Sequence, residues 1–588
     1  MKQEIKQRIA ALQHWMKAQG LDAFIVPTTD PHNSEYVAQH WEARRWLTGF
    51  TGSAGTAVVT LKKAGLWTDS RYFLQAEEQL KGSGIVLFRE KLPETPTIGQ
   101  WLKKELKKDG VIGIDGWVDN GSYNDDLTEN RLPLPIYKGD PFKTIWQNRP
   151  PMPQGSVFIH DLKFAGESCQ EKLARIRQFI RISHPESKGI LLSALDEIAW
   201  ALNLRCDDVH CNPVFISYLH ITLQKATLYI NKVKLPEEIE TYLAENHIAI
   251  KPYEKVESDL KRVKQTTLYA ASLNGQLKQA IANGKALSPS PVALMKCVKN
   301  PVEQEGFRRA MERDGVAMVK FLKWLKPAVE AGGQTELSID AKLSSLRAEQ
   351  ADYRGISFDT IAGYGTHGAI VHYEPTPETD IPVEPRGFLL LDSGGQYLDG
   401  TTDITRTIAL GALNEEEKRD YTLVLKGMLQ IQNIHFPEGT CGTQLDILAR
   451  QFMWKEGINY LHGTGHGVGT FLCVHEGPHQ MRMNHMPTLL KPGMTLTDEP
   501  GIYKPGRHGI RTENTLLIVP AAETEFGRFF KFEPLTLCPI DKAGILSEMM
   551  TNDEKQWLNE YHELVYNRLA PLLDDEHREW LRQATLPL

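Results

Sequence analysis

Apolar residues at Ile5, Ile9, Leu12 and Met16 recur at helical spacing and predict an amphipathic helix over residues 1–19. Short apolar runs at 23–26 and 56–60 read as strands, and 71–80 returns to a helical pattern. A second alternation opens on a capping box, Ser168 with Glu171, ahead of Leu173, Ile176 and Ile180. Strands are then expected over 189–193 and 225–230. Both stretches place an apolar strand before an aspartate and a tryptophan-leucine run: Asp30 with Trp46 and Leu47, then Asp196 with Trp200 and Leu202. That shared order suggests a degenerate internal duplication, although the spacing is not kept. A third pattern starts at Asn300 as N-cap, Pro301 at N1 and Glu303 at N3. Phe307, Met311, Met318, Phe321, Leu322 and Leu325 then predict a long amphipathic helix, and Trp557, Tyr561, Leu564 and Val565 mark another. Proline-rich seams at 148–155 and 288–291 resist regular structure and divide the chain into 1–150, 151–298 and 299–588.

Composition narrows the class. The chain has 588 residues, 41 % apolar and 24 % charged, which excludes wholesale disorder. A net charge of −7 supplies no basic field, so neither nucleic acid nor an anionic membrane surface is an expected partner. No run of about 18 apolar residues is present, so no spanning helix is expected. The charged start does not read as a signal peptide. Seven cysteines without a CxxC pair favour reduced thiols and a cytoplasmic location.

The chemistry concentrates between Phe388 and Glu513. Residues 388–392 read as a buried strand ending on Asp392, Asp399-Gly400 as a hairpin turn, and 403–410 as the returning strand. This hairpin brings Asp392 and Asp403 to the same end of neighbouring strands, where two carboxylates need a shared proton or cations. His462-Gly-Thr-Gly-His466-Gly-Val-Gly469 sets two imidazoles among four glycines, a pattern suited to a tight ligand-bearing loop. Glu499 and Glu513 add two carboxylates beside turn residues and apolar strands. Four carboxylates balance two divalent cations, and oxygen donors with one imidazole favour manganese, with zinc, cobalt or iron also compatible. Such a pair can clamp both sides of a hydrolytic transition state. His475-Glu-Gly-Pro-His479 also satisfies H-E-x-x-H, but Gly477 and Pro478 oppose the helix that zinc motif requires. Gly52 to Gly55 reads as a turn between strands.

These motifs resemble the metallopeptidase group with the pita-bread fold, which includes methionine aminopeptidase, prolidase and aminopeptidase P. The matching residues are Leu391-Asp392, Thr402-Asp403-Ile-Thr-Arg-Thr407, the His462–Gly469 run, Asp498-Glu499-Pro-Gly501 and Gly509-Ile-Arg-Thr-Glu513-Asn514. The resemblance implies metal ligands at Asp392, Asp403, His466, Glu499 and Glu513, with Asp403 and Glu513 bridging. It places His372 and His475 as substrate histidines, with His462 lining the pocket and Arg511 helping to hold the site. Ser34-Glu-Tyr36, Gly52-Ser-Ala-Gly-Thr56, Trp67 to Gln75 and Glu533-Pro-Leu-Thr536 extend the resemblance to the long, three-domain aminopeptidase P form. The implied α/β (α+β) architecture is two creatinase-like domains (1–150 and 151–298) followed by a pita-bread catalytic domain (299–588). The implied reaction is removal of the residue preceding a penultimate proline from peptides. A metal-bridging hydroxide would be the nucleophile, Glu499 the proton carrier, His475 the stabiliser of tetrahedral charge and His372 the positioning group. Arg71 would contact substrate from the first domain, and the protein would be a homodimer. Prolidase, which accepts only dipeptides, is the alternative enzyme, and a pita-bread binding module without metals is the alternative from another class.

Overall fold

The computed structural model describes residues 2–588. The first helix runs Lys2–Gln19 and buries Ile5, Leu12 and Met16 as the spacing requires; Met1 lies outside the described residues. The chain forms two compact units, one comprising residues up to Ile159 with Ser168–Val292, the other His160–Glu167 with Ala293–Leu588.

The first unit holds two six-stranded sheets of one design. The first runs Ile85–Arg89, Ala64–Thr68, Thr56–Thr60, Ala23–Pro27, Ile112–Ile114, Ile136–Tyr137. The second runs Ile248–Lys251, Ala226–Ile230, Ser217–Thr222, Ser187–Leu192, Thr266–Ala270, Gly284–Leu287. Chain order and pairing sense agree at every step: parallel, antiparallel, antiparallel, parallel, parallel. The repeated aspartate-tryptophan order therefore does mark a duplicated topology. Trp46 and Trp200 each sit on the helix linking the first two strands of their sheet, Ala43–Thr48 and Leu195–Leu202. Buried polar bonds join the two copies: Asn274 Nδ2 donates to Pro31 O at 2.8 Å, and His32 Nδ1 meets Ser193 O at 2.9 Å.

Local expectations need three adjustments. The helix expected from Arg71 starts at Phe73, because Asp69 accepts the Arg71 amide in an Asx turn and holds that residue outside the helix. The Gly52–Gly55 stretch leads from a helix into the strand Thr56–Thr60 rather than joining two strands. Residues 148–155 carry neither helix nor strand, whereas Pro291 in the second seam opens the helix Pro291–Lys296, a position where its missing N–H costs nothing.

In the second unit, Asn300 caps the helix Pro301–Ala331 by accepting from the amides of Val302 and Glu303. Three antiparallel strands, Ile361–Tyr364, Phe388–Ser393 and Ile404–Ala409, form one sheet, and Thr495–Asp498 pairs with Asn514–Thr524 in another. The helices Glu415–Asn433, Gly442–Lys455 and Asn552–Leu569 supply Val424, Met428, Met453, Leu558 and Val565 to the main core. Glu476–Met481 is a strand, which removes the helical zinc motif; His479 instead packs at Thr495 O, and burial pushes its imidazole down to about 4. Among the described residues no helix is long and apolar enough to cross a membrane.

Candidate metal centre and active site

Register brings the carboxylates together. Asp392 pairs with Thr405 and Ser393 with Ile404, so Asp392 and Asp403 share one end of neighbouring strands, as the hairpin pattern predicts. Asp498 pairs with Asn514, which sets Glu499 and Glu513 side by side where those two strands leave the sheet. His466 lies on the strand Gly465–Gly467, which pairs with Glu476–Met481, and its amide donates to Thr497 Oγ1 at 3.1 Å on the strand that leads to Glu499. Its flanking glycines are steric necessities: a Cβ at Gly465 would lie 1.8 Å from Thr497 O, and one at Gly467 would lie 2.5 Å from His479 Cε1.

One oxygen or nitrogen from each of Asp403, His466 and Glu513 lies within 4.8 Å of the others. His466 Nε2 stands 3.4 Å from Asp403 Oδ2 and 3.4 Å from Glu499 Oε1. Its Nδ1 meets the carbonyl Gly467 O at 2.8 Å, which accepts but cannot donate, so Nδ1 carries the proton and Nε2 presents its lone pair to the carboxylates. Asp392 gives Oδ2 to Arg511, while Oδ1 is buried and has no hydrogen-bond partner. Burial, then the charge of Glu513, followed by Asp392 and Glu499, holds Asp403 well above the usual carboxylate range. Burial and Glu513 do the same to Glu499, and burial with Asp392 pushes Glu513 up to about 8. Carboxylates packed this way require protons or cations. Their oxygens, the orphaned Asp392 Oδ1 and the preset imidazole lone pair fit divalent metal ions.

Neighbouring side chains fix these groups. Thr405 Oγ1 donates to Glu513 Oε2 at 2.9 Å, and the buried Arg406 donates to Glu513 O at 2.6 Å and Asn514 Oδ1 at 2.8 Å. Arg511 Nη1 donates to Tyr503 Oη at 2.7 Å, and that hydroxyl reaches His462 Nε2 at 2.8 Å. Gly463 O takes the His462 Nδ1 proton at 2.7 Å, so His462 Nε2 is the acceptor from Tyr503. One chain of bonds thus runs from Asp392 through Arg511 and Tyr503 to His462. Thr405 and Arg406 fall inside the Thr402–Thr407 motif, but nothing in the sequence assigned them these roles, and Tyr503 belongs to no quoted motif.

Asp392, Asp403 and Glu513 are buried, whereas Glu499, His372, His462, His466 and His475 are half-buried, so the accessible wall is lined by histidines. The His475 ring stands edge-on to His466 with centroids 4.4 Å apart. Arg71 lies in the first unit, where Asp69 takes its guanidinium at 2.9 and 2.8 Å and Glu35 stands at 3.5 Å. Asp498, beside Glu499, is fully buried with neither carboxylate oxygen bonded, and burial, then the charge of Glu513, raises it well above the usual carboxylate range.

Clustered carboxylates and an imidazole suited to divalent metal ions, in a chain that also carries a duplicated α/β unit, are the class these observations define. Residues 305–520 match the model of metallopeptidase family M24, and 528–588 match the C-terminal region of that peptidase. Residues 8–125 and 148–303 each match a creatinase/prolidase N-terminal domain. The chain is 39 % identical to a probable Xaa-Pro aminopeptidase P of Laccaria bicolor, covering 99 % of this chain and 93 % of that one. It is 37 % identical to aminopeptidase P1 of Arabidopsis thaliana, covering 97 % of each. Among solved structures, the X-prolyl aminopeptidase of Caenorhabditis elegans, described as a cytosolic enzyme with a di-nuclear active site, superposes with a TM-score of 0.94. That likeness covers 100 % of both chains at 32 % identity. The Xaa-Pro dipeptidase of Bacillus anthracis shares the fold over 64 % of this chain, with a TM-score of 0.51 at 24 % identity. The chain belongs to the aminopeptidase P group of metallopeptidase family M24 and has its mixed α/β architecture, with creatinase-like N-terminal domains and a pita-bread catalytic domain.

Proposed function

We propose that this protein removes the N-terminal residue from peptides whose second residue is proline, and that Asp392, Asp403, His466, Glu499 and Glu513 hold two divalent metal ions for the reaction. The observation that carries the reading is the end-to-end likeness to an X-prolyl aminopeptidase, which spans both N-terminal sheets as well as the catalytic unit. Manganese is the ion favoured by an oxygen-rich donor set.

Two divalent ions, when bound, supply Lewis acidity toward the scissile carbonyl and make water nucleophilic at neutral pH. The chain's own residues manage the protons and the peptide. Glu499 Oε1, beside His466 Nε2, accepts a proton from the attacking water and passes it to the proline nitrogen, which leaves as an amine. His475 donates to the carbonyl oxygen as tetrahedral charge develops. His372 holds the peptide beyond the scissile bond. His462 and Arg511 hold the pocket wall through Tyr503. Arg71 is carried as a substrate contact on the family resemblance. A cytoplasmic homodimer completes the reading, supported for location by the cytosolic relative and by seven cysteines without a disulfide. The division at 1–150, 151–298 and 299–588 belongs to the same reading.

Peptides of increasing length provide the test. Release of Xaa from Xaa-Pro-Yaa and longer peptides is the expected result; cleavage confined to Xaa-Pro dipeptides would replace this reading with prolidase.

A further inference from the structure

Glu336 is a fully buried carboxylate at the first position of the helix Glu336–Ala348, away from the ligand motifs. Its oxygens are taken by three points of one loop. The Tyr364 amide donates to Oε1 at 2.8 Å, and His367 Nδ1 meets both oxygens at 2.9 and 3.0 Å. Tyr373 Oη donates to Oε2 at 2.7 Å. The loop therefore starts, turns and ends on this single carboxylate, and the residue just before Tyr373 is His372.

The other side of the loop is equally confined. A Cβ on Gly509 would stand 1.6 Å from Gly368 O, so the loop backbone lies directly against the strand His508–Arg511. Tyr373 packs with Ile361 and Leu390, and Tyr503 lies against the same apolar cluster. The His367 and Tyr373 rings add a tilted contact at 4.4 Å. A loop pressed against the sheet on one face and tied to a buried anion on the other has little freedom to move His372. Removing the charge would weaken the bonds from the Tyr364 amide and His367 and let Tyr373 Oη turn to Thr379 O and Oγ1, at 3.2 and 3.1 Å, which loosens the loop.

We propose that Glu336 is a positioning residue for the reaction, acting on substrate only through His372 by fixing the loop from Tyr364 to Tyr373. The inference rests on the reading of His372 under the proposed function. Small displacements of a substrate-positioning group cost much more rate than stability.

A double-mutant cycle tests it on the full-length, manganese-loaded protein with an Xaa-Pro-Yaa peptide. Glu336→Gln is expected to lower kcat/KM about tenfold. Manganese affinity by calorimetry should stay unchanged, because the residue touches no ligand. In a His372→Ala background the same substitution should add no further loss, since the two act as one unit. Tyr373→Phe removes a single donor from the same carboxylate. It should give a smaller loss that also vanishes without His372, and it serves if Glu336→Gln does not fold. Wild-type kcat/KM in Glu336→Gln, or equal fractional losses in the two backgrounds for either variant, would overturn the proposal while leaving the role of His372 intact. A silent His372→Ala would remove both.

Discussion

Arg511 Nη2 donates to Asp392 Oδ2 at 2.6 Å and leaves Asp392 Oδ1 buried without a hydrogen-bond partner. The guanidinium thus holds one oxygen of the carboxylate and leaves the other available as a ligand. Arg511→Met should free the carboxylate to rotate and weaken manganese binding by about 10- to 100-fold, measured by isothermal titration calorimetry. Arg511→Lys should fall between, because one ammonium cannot bond Asp392 and Tyr503 with the geometry of a planar fork. Wild-type affinity in both variants would show that Asp392 needs no such restraint.

The metal-free protein should be sensitive to alkali. Glu513 is pushed up to about 8 from 4.5, and Asp403 and Glu499 are raised in the same direction. The folded state then binds more protons than the unfolded state between these values, so stability is present below pH 4.5 and lost as pH rises through about 8. Chelated protein should therefore melt at progressively lower temperature across that window. Manganese should raise the melting temperature more at pH 8 than at pH 6, because at lower pH the ion competes with protons. A chelated protein whose melting temperature is flat across the window contradicts the raised carboxylates.

Gly465→Ala should damage the centre from the backbone side. The added Cβ would meet Thr497 O at 1.8 Å, and relief requires separating the His466 strand from the strand leading to Glu499. A loss of about 1–3 kcal/mol in denaturant unfolding is expected, typical of overpacking, together with weaker metal binding. Unfolding indistinguishable from the parent would mean that the strands part without cost.

Much of this site was legible because its chemistry is local in sequence. Asp392 and Asp403 flank one hairpin, and glycines surround His466 where no Cβ fits. The duplication was barely legible: Asp30 precedes Trp46 by a long connection, whereas Asp196 and Trp200 sit on one helix, so only the identical sheet order reveals it. Tyr503 and Glu336 could not be read at all, and Arg406 was visible only as a motif residue without a role. Arg406 reaches Tyr561 Oη at 2.9 Å across 155 residues, and Glu336 meets Tyr373 across 37, distances over which a single sequence holds no periodic signal.

Glu499→Gln should separate folding from turnover. The amide keeps the side-chain volume and the acceptor for Thr497 Oγ1, 3.3 Å away, but cannot carry a proton to the leaving nitrogen. Turnover of an Xaa-Pro-Yaa peptide should fall by about 10²–10⁴, the range for loss of a general acid or base, with the melting temperature of the chelated protein at or above the parent value. Undiminished kcat would refute the proton role.

If Asp392, Asp403, His466, Glu499 and Glu513 hold two metal ions, peptide cleavage depends on those ions. Manganese should be titrated into chelator-stripped protein, with bound metal counted by elemental analysis and Xaa-Pro-Yaa cleavage followed in the same samples. Two ions per chain are predicted at saturation, with no cleavage in the stripped protein and recovery as the ions bind. Full cleavage by metal-free protein, or unchanged manganese stoichiometry after Asp403→Asn and Glu513→Gln, would contradict it.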